Sequence, residues 1–372
     1  MKQDKDIKDI LKLLPNTPGV YRMIDKNGKV IYVGKANNLG SRVRQYFKKD
    51  YQHSTRTRKL VENICDIKTT TVDSELEAVI LESNLIKQLQ PKYNILMKDD
   101  KNYVYIKITN DDFPTVRIVR KIEKDGAKYI GPKTAAHKVK DTLKMLKKLF
   151  PFRHCGLGID LISEEAQEKN GEMIYPVKVS NKVIKYPCLD FYIKRCIAPC
   201  IGKCSRDQYK TIIENATDFL EGKGDKILKD LKTKMQTLAS NKEFEKAAKL
   251  RDTIPKIESI LEKQKVSEPN QSDKDIINYC IGHDRAYFNL FQVRDGQLIG
   301  QENFILGASE LGEEESEEVL QAFVKQYYSI SANIPKEILL PHGIQEQKEI
   351  QEYINSQSSR KVKFLIPQKG KK

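Results

Sequence analysis

Two short β-rich runs lie near the start of the chain. Val20, Tyr21, Met23 and Ile24 form the first, Val30-Ile31-Tyr32-Val33 the second, and Asn27-Gly28 lies between them. Asn-Gly supplies the positive φ angles of a type I′ turn, so residues 19–34 are predicted to form a hairpin. Leu39, Val43 and Phe47 then recur at i, i+4 and i+8, which predicts a helix over Asn38–Phe47. Ile67–Val72 reads as a further strand. Ser74 followed by Glu77 is a capping-box signature for a helix to Gln90, ended by Pro91. These elements make a compact α/β domain over 1–95, an ordinary domain size.

Strand-like alternation returns at Val104, Ile106 and Ile108, then at Val116 and Ile118, within 103–131. Lys138–Leu149 has the pattern of a basic amphipathic helix. A segment with scattered Pro and Gly follows and carries most of the cysteines. Residues 206–264 read as all-helical. Leu231, Met235 and Leu238 share one face, Asn241-Lys242 breaks the helix, and Phe244, Ala247, Ala248, Arg251 and Ile254 form a second face. Pro255 lies inside that second helix, where a lost donor and a ring clash predict a kink. So short a hairpin needs a neighbour to cover its apolar stripe. Val266–Asp275, with Pro269-Asn270-Gln271-Ser272, reads as a linker, and 276–372 returns to mixed α/β character. The expected architecture is multidomain α/β, without internal repeats: 1–95, 96–205, 206–264 and 276–372.

The length of 372 residues fits two to four domains. Charged residues make up 31% and hydrophobic ones 39%, enough apolar material for several small cores. No run approaches the ~18–20 apolar residues of a membrane helix. The N-terminus, Met1-Lys2-Gln3-Asp4-Lys5-Asp6, lacks the apolar stretch of a secretory signal, so a cytoplasmic protein with no membrane partner is expected. Lys and Arg number 66 against 51 Asp and Glu, a net charge of +15. Between Lys35 and Lys59 there are eight basic residues and one acid, Asp50; residues 91–150 are also basic, and 310–318 are acidic. Such clustering suits an anionic partner, nucleic acid above all. Five of the seven cysteines fall between Cys155 and Cys204. In a cytosolic protein that density points to metal rather than disulfides.

Gly19-Val20-Tyr21 and Tyr32-Val33-Gly34 fall on the two predicted hairpin strands. Arg42 and Tyr46 share a helix face at i, i+4, and Glu82 sits on the next helix. Hydrolysis of a phosphodiester needs an activated water, a cation against the developing phosphorane charge, and a metal ligand. Tyrosines, Lys35, Arg42 and Glu82 are the corresponding residue types. Taken singly, each has an ordinary structural role. In order, they resemble the GIY-YIG endonuclease family and its UvrC branch, through Leu14–Tyr21, Tyr32–Ala36, Leu39–Phe47, Glu77–Lys87 and Pro91–Asn94, with valine for isoleucine in both name motifs. The resemblance implies that Glu82 binds one Mg²⁺ or Mn²⁺, that Arg42 stabilises the transition state, and that Tyr21 or Tyr32 acts on the attacking water. Lys35, Tyr46 and Asn94 would complete the site, and Gly34 would permit close backbone approach. A single carboxylate suits a Mg²⁺ that keeps most of its waters. A tyrosine of pKa about 10 needs nearby cations to serve as a base, and Lys35, Arg42 and the metal are the candidates.

By spacing alone, Cys188, Cys196, Cys200 and Cys204 form the simplest zinc knot. The neighbouring sequences Phe150–Cys155, Pro187-Cys188-Leu189 and Arg195–Cys200 again resemble UvrC. That resemblance implies a 4Fe–4S cluster on Cys155, Cys188, Cys196 and Cys200, with Cys204 as an alternative ligand and Zn²⁺ as an alternative metal. Phe244–Asp252 resembles the UVR motif through which UvrC pairs with UvrB, which implies partner-binding roles for Phe244, Ala247, Ala248 and Arg251. Ile299-Gly300, Phe323–Tyr328, Ile334–Ile338 and Pro367–Lys371 resemble the region leading into the family's second, RNase H-like nuclease, whose catalytic acids are expected beyond this chain. Asp275 and Asp284 are expected in solvated or turn roles instead. The implied function is a nucleotide excision repair endonuclease subunit that cuts damaged double-stranded DNA 3′ of the lesion together with UvrB. The alternatives are a non-cutting DNA-binding repair adaptor and a stand-alone GIY-YIG nuclease.

Overall fold

The computed structural model describes residues 7–48, 54–98, 103–169, 171–180, 182–262, 273–282, 284–307, 315–358 and 361–367. Most of the expected linker 266–275 and of Pro367–Lys371 lies outside them. The chain divides into two compact units. The first comprises 1–100, 274–290 and 302–372; the second comprises 101–273 and 291–301.

In the first unit the predicted hairpin forms between Gly19–Ile24 and Val30–Ala36, with Tyr21 opposite Gly34. Gly28 takes a φ of 78°, as the turn demands. Asp66–Thr71 adds antiparallel to the other side of Gly19–Ile24, giving a three-stranded sheet. Strand alternation then sorts the core. Val20 and Val33 pack with Ala78 and the flanking Leu81, Leu85 and Ile86 of the helix Glu75–Leu89. Tyr21 and Met23 face the other way, onto Leu39, Val43, Leu60 and Ile67. Asn38 caps the helix Leu39–Gln45 and Ser74 caps Glu75–Leu89, each accepting a backbone N–H bond.

The C-terminal part of this unit belongs to a six-stranded sheet built on Lys274–Gly282, Arg285–Arg294 and Gln297–Gly307. Leu96–Met97, just after the nuclease-like domain, pairs antiparallel with Leu306 and Gly307 at its edge. The helix Ser316–Tyr328 buries Val319, Leu320, Phe323, Val324 and Tyr327, and Phe323 stacks on Phe288 with centroids 4.1 Å apart. Asp275 is fully buried and accepts a hydrogen bond from the Tyr328 hydroxyl at 2.8 Å. The solvated role expected for Asp275 is therefore wrong, because its strand runs through the middle of the sheet. Asp284 is exposed, beside the start of a strand.

The second unit has the three-stranded sheet Val104–Ile108, Val116–Val119 and Lys128–Lys133. One core joins it to Ala136–Leu149 and to the helices Arg206–Leu220, Gly224–Ser240 and Phe244–Glu262. Two small hairpins that the sequence pattern did not predict, Ile159–Leu161 with Val177–Val179 and Gln167–Lys169 with Glu172–Ile174, fill the stretch between Cys155 and Cys188. The helical hairpin finds its cover within the unit: Ile227, Leu231 and Ile254 join the common core. Its second helix runs as one element through Pro255.

Candidate active site and cysteine cavity

Tyr21, Tyr32 and Tyr46 form a triangle with ring centroids 6.0 to 6.2 Å apart, and the Tyr21 and Tyr46 hydroxyls are 2.9 Å apart. The sheet register explains the grouping. Tyr21 stands opposite Gly34, and a Cβ on Gly34 would come within 2.5 Å of the Tyr21 hydroxyl. Gly34 is thus required by a tyrosine, which gives the expected close approach a specific partner. The Arg42 guanidinium lies 5.9 Å from the Tyr46 ring centre, as their i, i+4 spacing allows.

Glu82 projects from the helix Glu75–Leu89 and is buried. Its Oε1 accepts from the Lys35 backbone N–H at 3.2 Å, which ties the carboxylate to the strand carrying Gly34. Tyr21, Tyr32, Gly34, Arg42 and Glu82 all line one cavity of about 170 Å³. Asn94 lines it too, but its side chain accepts from Val33 N at 2.9 Å and donates to Val33 O at 2.8 Å. It holds the second hairpin strand in place with both ends of its amide.

The opposite wall comes from the C-terminal part of the same unit. Lys325 donates to Glu82 Oε2 at 2.7 Å, with each side chain 10% exposed. Glu346 lies 2.8 Å from the Lys35 ammonium, charge against charge without hydrogen-bond alignment, and 3.7 Å from Lys325. Arg56 is buried, donating to Glu315 at 2.6 Å and to Tyr93 O at 2.7 Å, with Glu318 also paired to it. Burial opposes the Lys325 charge, but Glu82 and Glu346 outweigh it and hold the ammonium pKa above its ordinary value. The Lys325 ammonium is therefore charged at neutral pH, and its contribution fades only as pH rises through the raised value.

Burial, then the neighbouring Tyr46 hydroxyl, push Tyr21 and Tyr32 well above the usual tyrosine pKa. The cations were expected to lower these values. Here desolvation prevails: it outweighs the lowering by Arg42 at Tyr21 and by Arg56 at Tyr32. Both tyrosines are neutral hydroxyls in this arrangement. Glu82 together with tyrosine hydroxyls is a donor set suited to a hard cation that keeps most of its waters; here Lys325 occupies Oε2 of that carboxylate.

Cys155, Cys188, Cys196 and Cys200 line a separate cavity of about 250 Å³ in the second unit. Cys204 does not; it is 2% exposed and packs in the apolar core. Burial pushes the Cys196 thiol up to about 11, with nearby Cys188, Cys200 and Cys155 adding to the shift. Among the described residues no three His, Cys, Asp or Glu side chains converge tightly enough for a single metal ion. Four cysteines on one cavity are ligand types for Zn²⁺ or for an iron–sulfur cluster.

The expected partner-binding residues divide between two environments. Ala247 is buried and Ala248 half-buried within the unit, whereas Phe244 is 66% exposed and Arg251 is exposed. No helix among the described residues is long and apolar enough to cross a membrane.

The sheet, the tyrosine triangle and Glu82 define a GIY-YIG nuclease-type domain, and residues 17–95 match the UvrC-like GIY-YIG domain. The UvrC/Cho excinuclease middle domain matches 103–219, the UvrB/uvrC motif 225–260, and the UvrC ribonuclease H-like domain 273–372. The chain belongs to the UvrC family. UvrABC system protein C of Caldicellulosiruptor saccharolyticus is 42% identical over 98% of this chain and 57% of its own length. That of Caldanaerobacter subterraneus is 39% identical over 99% of this chain and 56% of its own. The chain thus spans somewhat more than half the length of these relatives. The GIY-YIG N-terminal endonuclease domain of UvrC from Thermotoga maritima, solved with its catalytic magnesium, is 39% identical, covering 25% of this chain and 99% of that one, with a TM-score of 0.22.

Proposed function

We propose that the N-terminal domain hydrolyses a phosphodiester of lesion-bearing double-stranded DNA, on the 3′ side of the lesion, in company with UvrB. The observation that carries this reading is the convergence of Tyr21, Tyr32, Arg42 and Glu82 on one cavity. A Mg²⁺ or Mn²⁺ held by Glu82 would supply Lewis-acid polarisation of the scissile phosphate. Arg42, at the cavity edge, places its guanidinium against the charge that develops on the phosphorane. Tyr32 or Tyr21, still protonated, orients the attacking water by hydrogen bonding, and Tyr46 holds Tyr21 in place. Lys35 and Asn94 position the strand that carries Gly34. Purified with its partners and a duplex bearing one lesion, the chain is expected to cut 3′ of the lesion only when Mg²⁺ or Mn²⁺ is present. DNA bound without any cut would favour the adaptor reading, which the Lys325–Glu82 pair supports.

The four-cysteine cavity supports a 4Fe–4S cluster on Cys155, Cys188, Cys196 and Cys200, in a structural or DNA-sensing role. Protein purified without oxygen is expected to be brown and to contain iron and acid-labile sulfide, and Cys188→Ser to lose most of both. Zinc at full occupancy in place of iron would overturn this assignment.

The exposed Phe244 supports a partner-docking role for the hairpin. Phe244→Ala is expected to leave thermal stability within about 0.5 kcal/mol of the parent, as at other surface sites. Affinity for UvrB should fall about tenfold or more, as for aromatic anchors at interfaces. Unchanged affinity in a pull-down titration would remove Phe244 from the interface.

A further inference from the structure

The segment 182–195 borders the cysteine cavity, and its Ile184, Tyr186 and Phe191 form part of the wall. Their outer side is unusually apolar for a surface. Val183 is 91% exposed, Tyr186 79%, Leu189 71% and Tyr192 64%. The charges among them are of one sign: Lys182, Lys185, Lys194 and Arg195 are exposed. The segment's acid, Asp190, is turned away from this side, held by Lys147 at 2.9 Å and His154 at 2.8 Å. Lys194 sits in the left-handed region at a φ of 58°, and the Arg195 and Cys196 N–H groups both donate to Asp190 O, so this turn is fixed with two cations side by side. Through the Lys147–Asp190 bond the segment is joined to the helix Ala136–Leu149, whose exposed Lys140, Lys144 and Lys148 line up at i, i+4 and i+8, with the exposed Asp141 3.8 Å from Lys144.

Exposed aromatics set among cations, with no outward acid in the segment, are the chemistry of a surface for unpaired nucleotides. Bases stack on the rings, and the cations follow the phosphates. A protein partner would also be drawn to the apolar side chains, but its acidic residues would have to match this same one-signed array. We propose that Tyr186 and Tyr192 are stacking platforms for unstacked bases of a single-stranded or locally opened nucleic acid, and that Lys185, Lys194, Arg195 and the lysine row of Ala136–Leu149 track its backbone. This rests on the reading of the chain as a DNA-acting protein and adds a preference for unpaired strand that the cutting site does not supply.

The test uses the full chain as purified, without added Mg²⁺ or Mn²⁺, with two probes: a single-stranded oligothymidylate and a fully paired duplex of equal length. Tyr186→Ala is expected to weaken oligothymidylate binding about tenfold, and the pair Tyr186→Ala/Tyr192→Ala about a hundredfold, while duplex binding changes less than about threefold. Tyr186→Trp/Tyr192→Trp should retain the single-strand affinity, because stacking needs a ring and not a hydroxyl. Lys140→Gln/Lys144→Gln should weaken both probes and flatten the salt dependence. Unchanged oligothymidylate binding by the alanine pair, with thermal unfolding like that of the parent, would overturn the proposal, as would equal losses on both probes. Binding is read without cutting. A parent that binds oligothymidylate as expected yet never cuts lesion DNA would therefore overturn the nuclease reading and leave this one standing.

Discussion

Lys325→Met should tighten Mn²⁺ binding to the chain by at least about tenfold, which is about 1.4 kcal/mol. In the parent a cation reaching Glu82 has to displace an ammonium 2.7 Å from Oε2, in surroundings that exclude most water. Removing one partner of a buried pair typically costs about 3–5 kcal/mol, because the other charge is left unmatched. Metal-free Lys325→Met should therefore melt lower than the parent and recover a larger share of its stability when Mn²⁺ is added. Calorimetric titration with Mn²⁺ and melting curves with and without it measure both effects. Equal Mn²⁺ affinity in parent and variant would show that Lys325 does not compete for the carboxylate.

Glu82→Gln should lower the rate of DNA incision by about a hundredfold to a thousandfold or more, a loss like that on removing a principal stabiliser of transition-state charge. The amide oxygen can still accept from the Lys35 N–H, so the link between helix and strand persists. DNA binding, which rests on many Lys and Arg contacts, should hold within about twofold. The thermal upshift with Mn²⁺ should vanish. Near-parental incision in Mg²⁺ would move the metal site elsewhere.

Much of this was legible along the chain because it is local. Asn-Gly fixed the hairpin, Ser74 and Glu77 marked a helix start, and Arg42 and Tyr46 met because a helix turn brings them together. The resemblance of the motifs around Tyr21, Tyr32, Arg42 and Glu82 to a known family carried the domain type, and the structure sets these four around one cavity. What escaped depends on pairs far apart in sequence. Lys325 lies 243 residues from Glu82, and nothing near either residue signals the other. Arg56 reads as one more cation in a basic run, yet it is buried against Glu315. Asp275 looked like a linker acid and is a buried strand residue, because its partner Tyr328 comes from a later helix. Spacing favoured Cys204 over Cys155 as a cysteine of the cavity; the folded chain puts Cys204 in a core and brings Cys155 back beside Cys188, Cys196 and Cys200.

The two-residue ladder of Leu96–Met97 with Leu306 and Gly307 is reinforced by Lys98 N donating to Ile305 O and by Gln326 bridging Ile95 O and Met97 N. None of these bonds involves the charged groups around Glu82. With this ladder in place, Lys325 is a competitor carried on a short leash. Its effective concentration at the carboxylate is set by chain geometry and is the same whether the protein is dilute or abundant. A dissolved cation competes at its bulk concentration. Occupancy of Glu82 should therefore saturate with free divalent ion alone, with a midpoint that does not move when the protein is diluted.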